Sequence, residues 1–360
     1  MVQTPLKVCV AGPSGQQGGV EVHTYELVKF LKRQGYSVLF ADVEKVYEYR
    51  RGQIRILFKI LQWVHLYIKV RLFSPDILVS TATGSGYRWL ANFTKKDCFR
   101  IIQIVTCDYP VNDLRMRSVI NSYDAVAAQS LILKDHVQNK LSRSIPCQVL
   151  PCFHQIDSSD IIQNMRVSVS ESEVSLAYFG RLAGNKGLLE LFCAWSQLCL
   201  HKSCSLHIWG TGPLKDKLTE LSLSFPADQC SITMHGAYPT GKAYRELLMS
   251  YDGLVLPSQA TEGLPLVLLE AAAVGLPILT TSIGGIPDFT ENNLDVQVVG
   301  LGVDSLHHGL YRFINSIQYG GFSCSRHRKF FQQNYSFPVL ESQWMVMLQN
   351  PRLFFHGFPT

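Results

Sequence analysis

Apolar runs of strand length alternate with helical stretches along the whole chain, and this alternation restricts its fold more than any other feature. The pattern predicts strands at 8–11, 37–41, 77–80, 101–106 and 125–128, and again at 174–179, 205–209, 232–234, 253–256 and 278–281. Helical segments such as 20–34 and 188–200 separate them. Strands joined by helices are typical of βα units and a parallel sheet. The sequence therefore predicts an α/β protein with two Rossmann-like, doubly wound parallel sheets.

A polar segment that is poor in aromatic residues, 158–175, separates the two sets of strands, and we interpret it as the linker between two domains. We predict an N-terminal domain at 1–165, a second domain at 166–335 and a C-terminal helical segment at 336–360. A chain of 360 residues with 47% hydrophobic content is long enough for two cores. Sheets of this type bind ligands beyond the carboxyl ends of their strands, so we expect a site in a cleft that the two domains face.

The net charge of +5 is unevenly distributed. Residues 1–170 contain 21 Lys and Arg against 13 Asp and Glu, whereas residues 171–360 contain 12 against 15. Because neither a zinc finger nor an RNA-binding aromatic signature accompanies the basic half, we expect no nucleic-acid partner. An anionic acceptor or an anionic membrane surface explains this asymmetry at least as well.

The apolar and reactive residues favour a cytoplasmic protein. The first apolar run is too short for a signal peptide and leads directly into a glycine turn. The ten cysteines form no CxxC pair, so we interpret most of them as buried thiols. Asp-x-Asp does not occur and the histidines are scattered, so we expect neither a metal site nor a cofactor.

Two carboxylates mark the most informative segment for function, 261–277. Gly263 and Pro265 stand where a helix would begin, and a Gly-Leu-Pro sequence at 275–277 ends it. Glu262 then lies at the helix N-terminus, where free amides favour anions, and Glu270 lies about two turns further along. By itself the pattern also fits a solvated amphipathic helix. A ligand with a central phosphate and hydroxyl-bearing rings at both ends, such as a nucleotide diphosphate sugar, would fit this spacing.

A glycine-rich turn after the strand 174–179 carries two cations, Arg181 and Lys186. Five residues apart on such a turn, the Arg fork and the Lys point charge can hold a diphosphate between them. The sequence predicts that this turn and the segment 261–277 contribute to one anion site.

Together these segments resemble the donor half of the retaining glycosyltransferases of family four, which have the two-domain GT-B fold. The Gly-Arg…Lys-Gly turn, Trp-Gly-Thr-Gly-Pro at 209–213, Leu-Pro-Ser at 256–258, the Glu-x7-Glu helix and Gly-Gly-Ile-Pro-Asp at 284–288 occur in the family's order. Asp288 replaces the family's usual Glu. The segment 330–348 resembles the family's final helices, which cross back to the first domain; the other interpretation is a closing helix of the second domain.

The resemblance implies a retaining, metal-independent transfer of a sugar from a nucleotide diphosphate sugar to a saccharide or lipid-linked saccharide, in bacterial surface polysaccharide or glycolipid synthesis. Arg181 and Lys186 would stabilise the leaving diphosphate, Glu262 would bind donor sugar hydroxyls, and Glu270 would bind the ribose diol. His235 and Gly236 resemble the turn beside the nucleobase. The remaining donor-binding candidates are backbone positions: Gly18, Gly19, Gly180, Gly212, Gly263, Leu264 and Pro265.

Two positions depart from the family pattern or allow a second interpretation. Many members carry a His after the fourth strand, where this chain has Cys107 followed by Asp108. We expect Asp108 to be the catalytic side chain near the acceptor, but a sugar-nucleotide-binding subunit that has lost turnover is the alternative; an epimerase fits the motifs less well. The glycine loop 12–19 would contact the donor phosphate or the acceptor, or else be a plain βα turn.

The segment 50–73 is basic and amphipathic. Ile54, Leu57, Leu61, Val64 and Ile68 recur at helical spacing, with six Lys and Arg among them. It predicts either a helix that packs on the first sheet or a helix that docks on anionic membrane from the cytoplasmic side.

Overall fold

The structure is a computed structural model that describes residues 5–13, 18–42, 54–105, 114–140, 145–156, 173–198, 203–225, 230–260 and 262–356. The chain forms two compact units: Met1–His154 with Leu340–Thr360, and Gln155–Val339. The predicted positions Cys107 and Asp108, and most of the predicted linker, lie outside the described residues. The predicted boundary at residue 165 stays a prediction for the same reason.

Each unit contains one six-stranded sheet, and every described strand pair is parallel. In the first unit the strands are β1 (Lys7–Gly12), β2 (Ser37–Asp42), β3 (Ile77–Ser80), β4 (Phe99–Ile104), β5 (Ala125–Ala128) and β6 (Cys147–Val149). In the second unit they are β7 (Glu173–Phe179), β8 (Ser203–Trp209), β9 (Cys230–Gly236), β10 (Gly253–Leu256), β11 (Ile278–Thr281) and β12 (Val296–Val299).

Ten of the described helices connect successive strands, as parallel pairing requires, and the last four follow β12. They are α1 (Gly19–Arg33), α2 (Ile54–Phe73), α3 (Ser85–Phe93), α4 (Leu114–Ile120), α5 (Leu131–Lys140), α6 (Leu188–Ser196), α7 (Lys215–Ser222), α8 (Gly241–Met249), α9 (Leu266–Val274), α10 (Ile286–Thr290), α11 (Val303–Gln318), α12 (Cys324–Asn334), α13 (Phe337–Gln349) and α14 (Pro351–His356). Within the described ranges we find no helix that combines the length and apolar content of a bilayer-spanning segment.

The strand order gives each sheet a point where the direction of winding reverses. The first sheet has the order β2-β1-β3-β4-β5-β6, and the second has β12-β11-β10-β7-β8-β9. The order reverses between β1 and β3 in the first sheet and between β7 and β10 in the second. In a doubly wound sheet, the connections that follow these two strands run to opposite faces of the sheet. The carboxyl ends of the two strands therefore border a crevice that suits a ligand. The prediction of two doubly wound parallel sheets is confirmed.

The central strands are apolar and fully buried, which explains why their ends could be predicted. For example, the predicted bounds of β3, β5, β10 and β11 agree with the structure. Two strands were not predicted, β6 and β12. Both lie at an edge of their sheet and are only partly buried, so they lack the continuous apolar run of a central strand.

Helix α2 has apolar residues on both of its sides, and the structure decides which side is buried. Leu66 and Val70 belong to the core of the first unit, and Trp63 and Tyr67 pack against that core. In contrast, the predicted stripe at Leu61, Val64 and Ile68 is exposed. The helix therefore packs on the core of the first unit, as one of the two interpretations predicts, but Leu61, Val64 and Ile68 are not on the side that it buries.

Candidate functional site

Two predicted site residues meet at the switch point of the second sheet. Lys186 follows β7 and Glu262 follows β10, and the Lys186 ammonium is paired with Oε1 of Glu262. The hydroxyl of the buried Ser258 donates to the same carboxylate oxygen at 2.7 Å. The side chains of Lys186 and Glu262 are 20% and 13% exposed, so both can still be reached from solvent. Ser258 belonged to a motif of the resemblance, but no role was predicted for it.

Backbone contacts that only glycine allows hold this pair in place. Gly187, at a φ of +69°, comes so close to Pro257 that an added Cβ would lie 1.9 Å from the proline carbonyl oxygen. Gly284, at a φ of +57°, approaches the carbonyl oxygen of Glu262 equally closely. The amide of Gly285 also donates to that oxygen at 3.0 Å. The glycine pair therefore fixes the backbone that carries Glu262.

Arg181 lies on the same turn, and its side chain is exposed. Its backbone carbonyl accepts a 2.9 Å hydrogen bond from the Tyr178 hydroxyl. Among the described residues, no carboxylate forms a salt bridge with its guanidinium. The backbone of the next residue, Leu182, is hydrogen-bonded to the loop after β8: its amide donates to the Thr211 carbonyl, and its carbonyl accepts from the Leu214 amide. The turn is thus fixed at its backbone while the Arg181 side chain is free to bind an anion.

The predicted glycines of this region allow backbone segments of neighbouring loops to approach each other closely. An added Cβ on Gly212 would lie 2.4 Å from the carbonyl oxygen of Leu182. The amide of Gly180 donates to the carbonyl of Trp209, and the carbonyl of Gly236 accepts from the amide of Gly210. These contacts bring the loops after β7, β8 and β9 together at one end of the sheet.

Helix α9 begins after Pro265 and has no side-chain cap at its N-terminus. Gly263 and Leu264, which precede it, are buried. The described helix is apolar over its whole surface except at Glu270, which is only 4% exposed. The start of the helix agrees with the sequence-based expectation, and the segment that carries Glu262 directly precedes it.

Glu270 lies deeper than the predicted ribose contact would suggest. The Tyr244 hydroxyl donates to its Oε2 at 3.0 Å, and the backbone and side chain of Gln155 also form hydrogen bonds with the carboxyl. Burial raises the pKa of Glu270 to about 7, although the hydrogen bonds from Tyr244 and Gln155 favour the charged form. Its role toward ribose stays a prediction.

His235 is part of an aromatic cluster that the sequence did not indicate. Its ring stacks on Trp209 at 4.2 Å between centroids, and its Nε2 lies 2.8 Å from Nδ1 of His207. The Trp209 indole donates to the Tyr251 hydroxyl at 2.8 Å. Burial lowers the pKa of both histidines, and for His207 the neighbouring His235 lowers it further. A flat, partly exposed imidazole on an indole can stack against a planar ligand.

In the first unit, the predicted Gly18 and Gly19 precede and begin α1, but residues 14–17 of the loop lie outside the described residues. The structure adds a buried residue that the sequence did not indicate, His23. Its Nδ1 accepts from the amide of Phe153 at 2.9 Å, so Nε2 carries the proton and donates to Gln103 at 2.6 Å. Burial lowers the pKa of His23 to about 4.

No group of three or more His, Cys, Asp or Glu side chains in the part of the chain that the structure describes is arranged to hold a metal ion. Whether the reaction needs a metal stays a prediction.

Residues 173–313, the segment that carries this site, match the family model of the glycosyl transferases group 1. A glycosyltransferase of Methanocaldococcus jannaschii is 25% identical over 171 residues, 47% of this chain and 43% of its own. TuaC of Bacillus subtilis, a glycosyltransferase assigned to teichuronic acid biosynthesis, is 35% identical over 136 residues, 38% of this chain and 32% of its own. The matched segment thus spans less than half the length of these curated relatives.

Solved structures match a larger part of the chain. A glycosyltransferase from Rickettsia africae has a TM-score of 0.71 at 16% identity, covering 96% of this chain and 99% of its own. HepE of Anabaena in complex with UDP has a TM-score of 0.70 at 15% identity, covering 96% and 100%. Sucrose-phosphate synthase of Thermosynechococcus elongatus has 0.74 at 12%, covering 96% and 99%. The chain therefore has the GT-B fold, and its residues 173–313 match the glycosyl transferases group 1.

Proposed function

We propose that the protein transfers a sugar from a nucleotide diphosphate sugar to a saccharide or lipid-linked saccharide acceptor, with retention at the anomeric carbon and without a metal. The observation that carries the proposal is the pairing of Lys186 with Glu262 at the switch point of the second sheet, beside the exposed Arg181. HepE, which has the same fold, was solved with UDP and with UDP-glucose. TuaC, the relative assigned to teichuronic acid biosynthesis, supports a role in surface polysaccharide synthesis.

The transfer separates an anionic diphosphate from a sugar that becomes cationic, so groups that stabilise developing negative charge contribute most to the rate. Arg181 would bind the diphosphate through its guanidinium fork, and Lys186 would bind it as a point charge. The uncapped N-terminus of α9 would add backbone amides.

Glu262 is held by Lys186 and Ser258 through one oxygen, Oε1. Its second oxygen would then accept hydrogen bonds from hydroxyls of the donor sugar. The stack of His235 on Trp209 would support the nucleobase. Asp108 stays the predicted group near the acceptor hydroxyl, and it lies outside the described residues.

We place the protein in the cytoplasm, as a peripheral protein on the inner face of a membrane. The basic character of residues 1–170 and the exposed stripe of α2 support this location.

The test has two steps. First, thermal shift and calorimetry with UDP-, GDP- and ADP-sugars should identify a donor, since a ligand at 100 times its Kd stabilises the fold by about 2.7 kcal/mol. Second, the donor is incubated with saccharide and lipid-linked acceptors, and NMR assigns the anomeric configuration of the product. An inverted product would contradict retention. Donor binding without transfer to any acceptor would favour the binding subunit, and no binding at all would contradict both functions.

A further inference from the structure

The exposed side of α2 is apolar over three turns. Ile60, Leu61, Val64, Ile68 and Leu72 are between 45% and 79% exposed. The last four lie three or four residues apart, so they form one stripe along the helix. A soluble helix that packs on a sheet normally has polar residues on its outer side, so this stripe needs an explanation.

The apolar surface continues from α2 onto α3. Tyr67 of α2 stacks on Phe93 of α3, with ring centroids 4.8 Å apart and planes within 10°. On α3, Trp89 and Phe93 are 57% and 41% exposed and are separated by one helical turn. Close packing locks the two helices together, because an added Cβ on Gly86 would lie 2.2 Å from the Trp63 ring. The two helices therefore present one rigid surface, which we name the α2–α3 face: Ile60, Leu61, Val64, Ile68, Leu72, Trp89 and Phe93.

The charge on these two helices is of one sign. Neither Ile54–Phe73 nor Ser85–Phe93 contains an Asp or a Glu. Lys69, Arg71 and Arg88 are exposed on them. The Arg71 guanidinium is held near the face by bonds of 3.4 and 3.3 Å to the carbonyls of Phe93 and Thr94. Exposed aliphatic and aromatic side chains flanked only by cations are what an anionic lipid surface binds.

From these observations we propose that the α2–α3 face docks on an anionic lipid bilayer. The aliphatic side chains and Trp89 enter the boundary between headgroups and acyl chains, while Lys69, Arg71 and Arg88 contact anionic headgroups. A second copy of the chain would fit the charge less well, because two such basic faces repel each other. A lipid-linked acceptor would be concentrated at the same surface. The docking rests on the peripheral location proposed above and names its surface and its lipid, but it does not depend on sugar transfer.

The test is flotation of the full chain with phosphatidylglycerol vesicles and with phosphatidylcholine vesicles, at low and at high salt. We expect binding to phosphatidylglycerol at low salt, weaker binding at high salt, and little binding to phosphatidylcholine. Val64→Glu with Ile68→Glu should lower the bound fraction by roughly tenfold or more, because these side chains lose their apolar burial in the bilayer. Lys69→Glu with Arg88→Glu should lower it and remove its salt dependence.

The control is Leu223→Glu, which places a charge on an even more exposed apolar residue of the second unit. It should float like the wild type. Circular dichroism and the thermal unfolding midpoint check that every variant is folded, and neither depends on vesicle binding or on a donor. Wild-type protein that stays with the soluble fraction at low salt would overturn the proposal. The proposal would also be overturned if Val64→Glu with Ile68→Glu floated like the wild type. It would be overturned as well if the wild type formed a dimer but did not bind lipid, and this variant abolished the dimer.

Discussion

At the scale of single residues, Lys186 and Glu262 depend on each other's charge. In the free protein the ammonium is neutralised by the carboxylate and is not an unpaired cation waiting for phosphate. If Lys186 is removed, Glu262 is left as a partly buried carboxylate next to the expected position of a diphosphate. The loss of binding then contains a repulsive contribution as well as the lost attraction.

This coupling leads to a double-mutant prediction. Lys186→Ala should weaken binding of the nucleoside diphosphate by about 100-fold, and Lys186→Ala with Glu262→Gln should recover about tenfold of that loss, because the repelling charge is gone. Arg181→Ala should also weaken binding by about 100-fold, but Glu262→Gln should not rescue it to the same degree. Calorimetric Kd values measure these effects, with Lys217→Ala on α7 as the exposed control. Equal Kd values for the single and double variants would show that Glu262 exerts no repulsion.

The protonation of the Glu270 carboxyl makes the stability of the fold depend on pH. With a pKa near 7 in the folded protein and 4.5 as its ordinary value, its carboxyl keeps a proton that the unfolded chain releases. Stability from this group is therefore present at low pH and is lost as the pH rises from about 4.5 to above 7. The full loss is on the order of 3 kcal/mol.

We expect Glu270→Gln to raise the Tm at pH 8 and to change it little at pH 4.5, because glutamine keeps the shape and a hydrogen-bond acceptor but never ionises. If the carboxylate binds ribose, the same variant should weaken donor binding. In the wild type, donor binding should fall about fivefold from pH 7 to pH 6, as the carboxylate is protonated. Thermal unfolding and calorimetry over this pH range are the measurements. A variant that is less stable than the wild type at pH 8 would contradict the burial cost.

At the scale of elements, His23 connects four parts of the first unit. It lies on α1, bonds Gln103 of β4 and the amide of Phe153 after β6, and its ring is 5.8 Å from that of Trp344 on α13. Gln103 continues the connection by donating to the Leu150 carbonyl at 3.0 Å. Both ring nitrogens of His23 have a hydrogen-bond partner only when the imidazole is neutral, because Nδ1 must accept while Nε2 donates. A proton on Nδ1 would face the Phe153 amide and displace that hydrogen bond.

The pH dependence of stability follows from this geometry. An unfolded histidine binds a proton below about 6.5, whereas folded His23 remains neutral down to about 4, so stability is lost as the pH falls through this window. The loss from His23 amounts to about 3 kcal/mol, and buried His327 in the second unit, with a pKa also near 4, adds its own.

We expect His23→Leu to lower stability at pH 7 by about 2–4 kcal/mol, since Phe153 and Gln103 lose their partners. The further loss between pH 6.5 and 4 should be smaller than in the wild type. Urea unfolding at several pH values measures both effects, and exposed His356→Gln is the control in the same unit. An unchanged pH dependence in His23→Leu would mean that other groups control acid unfolding.

At the scale of the whole molecule, the chain returns from the second unit to complete the first. Trp344 on α13 is fully buried, donates to the Pro151 carbonyl at 3.0 Å and lies 6.0 Å from the Phe153 ring. Arg33 of α1 pairs with Glu341 at 2.8 Å. Trp344 of α13 is thus part of the core of the unit with which the chain begins.

Trp344→Ala should therefore destabilise the first unit by about 3–5 kcal/mol through the cavity it leaves. Val346→Ala, an exposed position of the same helix, is the control. Calorimetric unfolding with and without donor should show that the donor still raises the transition of the second unit, because Arg181 and Lys186 belong to that unit. If Trp344→Ala lost donor binding under conditions where the second unit remains folded, donor binding would depend on the first unit as well, and this prediction would be wrong.

Much of the fold was predictable because it depends on local pattern. Central strands such as Gly253–Leu256 are continuous apolar runs bounded by turns, so their position and the parallel sheet follow from the sequence. The start of α9 was predictable too, because Gly263 and Pro265 favour a helix N-terminus on local grounds. The edge strands Cys147–Val149 and Val296–Val299 lack that signal, since partly exposed strands tolerate polar residues.

The candidate site also has features that follow from local sequence and features that depend on the tertiary structure. The sequence by itself determined which groups can bind an anion, because Arg181, Lys186 and the glycines around them are recognisable on one turn. Only the tertiary structure decided that Lys186 pairs with Glu262, 76 residues away, that Glu270 is buried against Tyr244, and that His207 lies beside His235. It also decided which side of α2 is exposed, because apolar residues occur on both sides of this helix and the pattern alone does not distinguish them. These contacts depend on strand order and on loops that meet at one end of a sheet, and local sequence does not specify distances across a sheet.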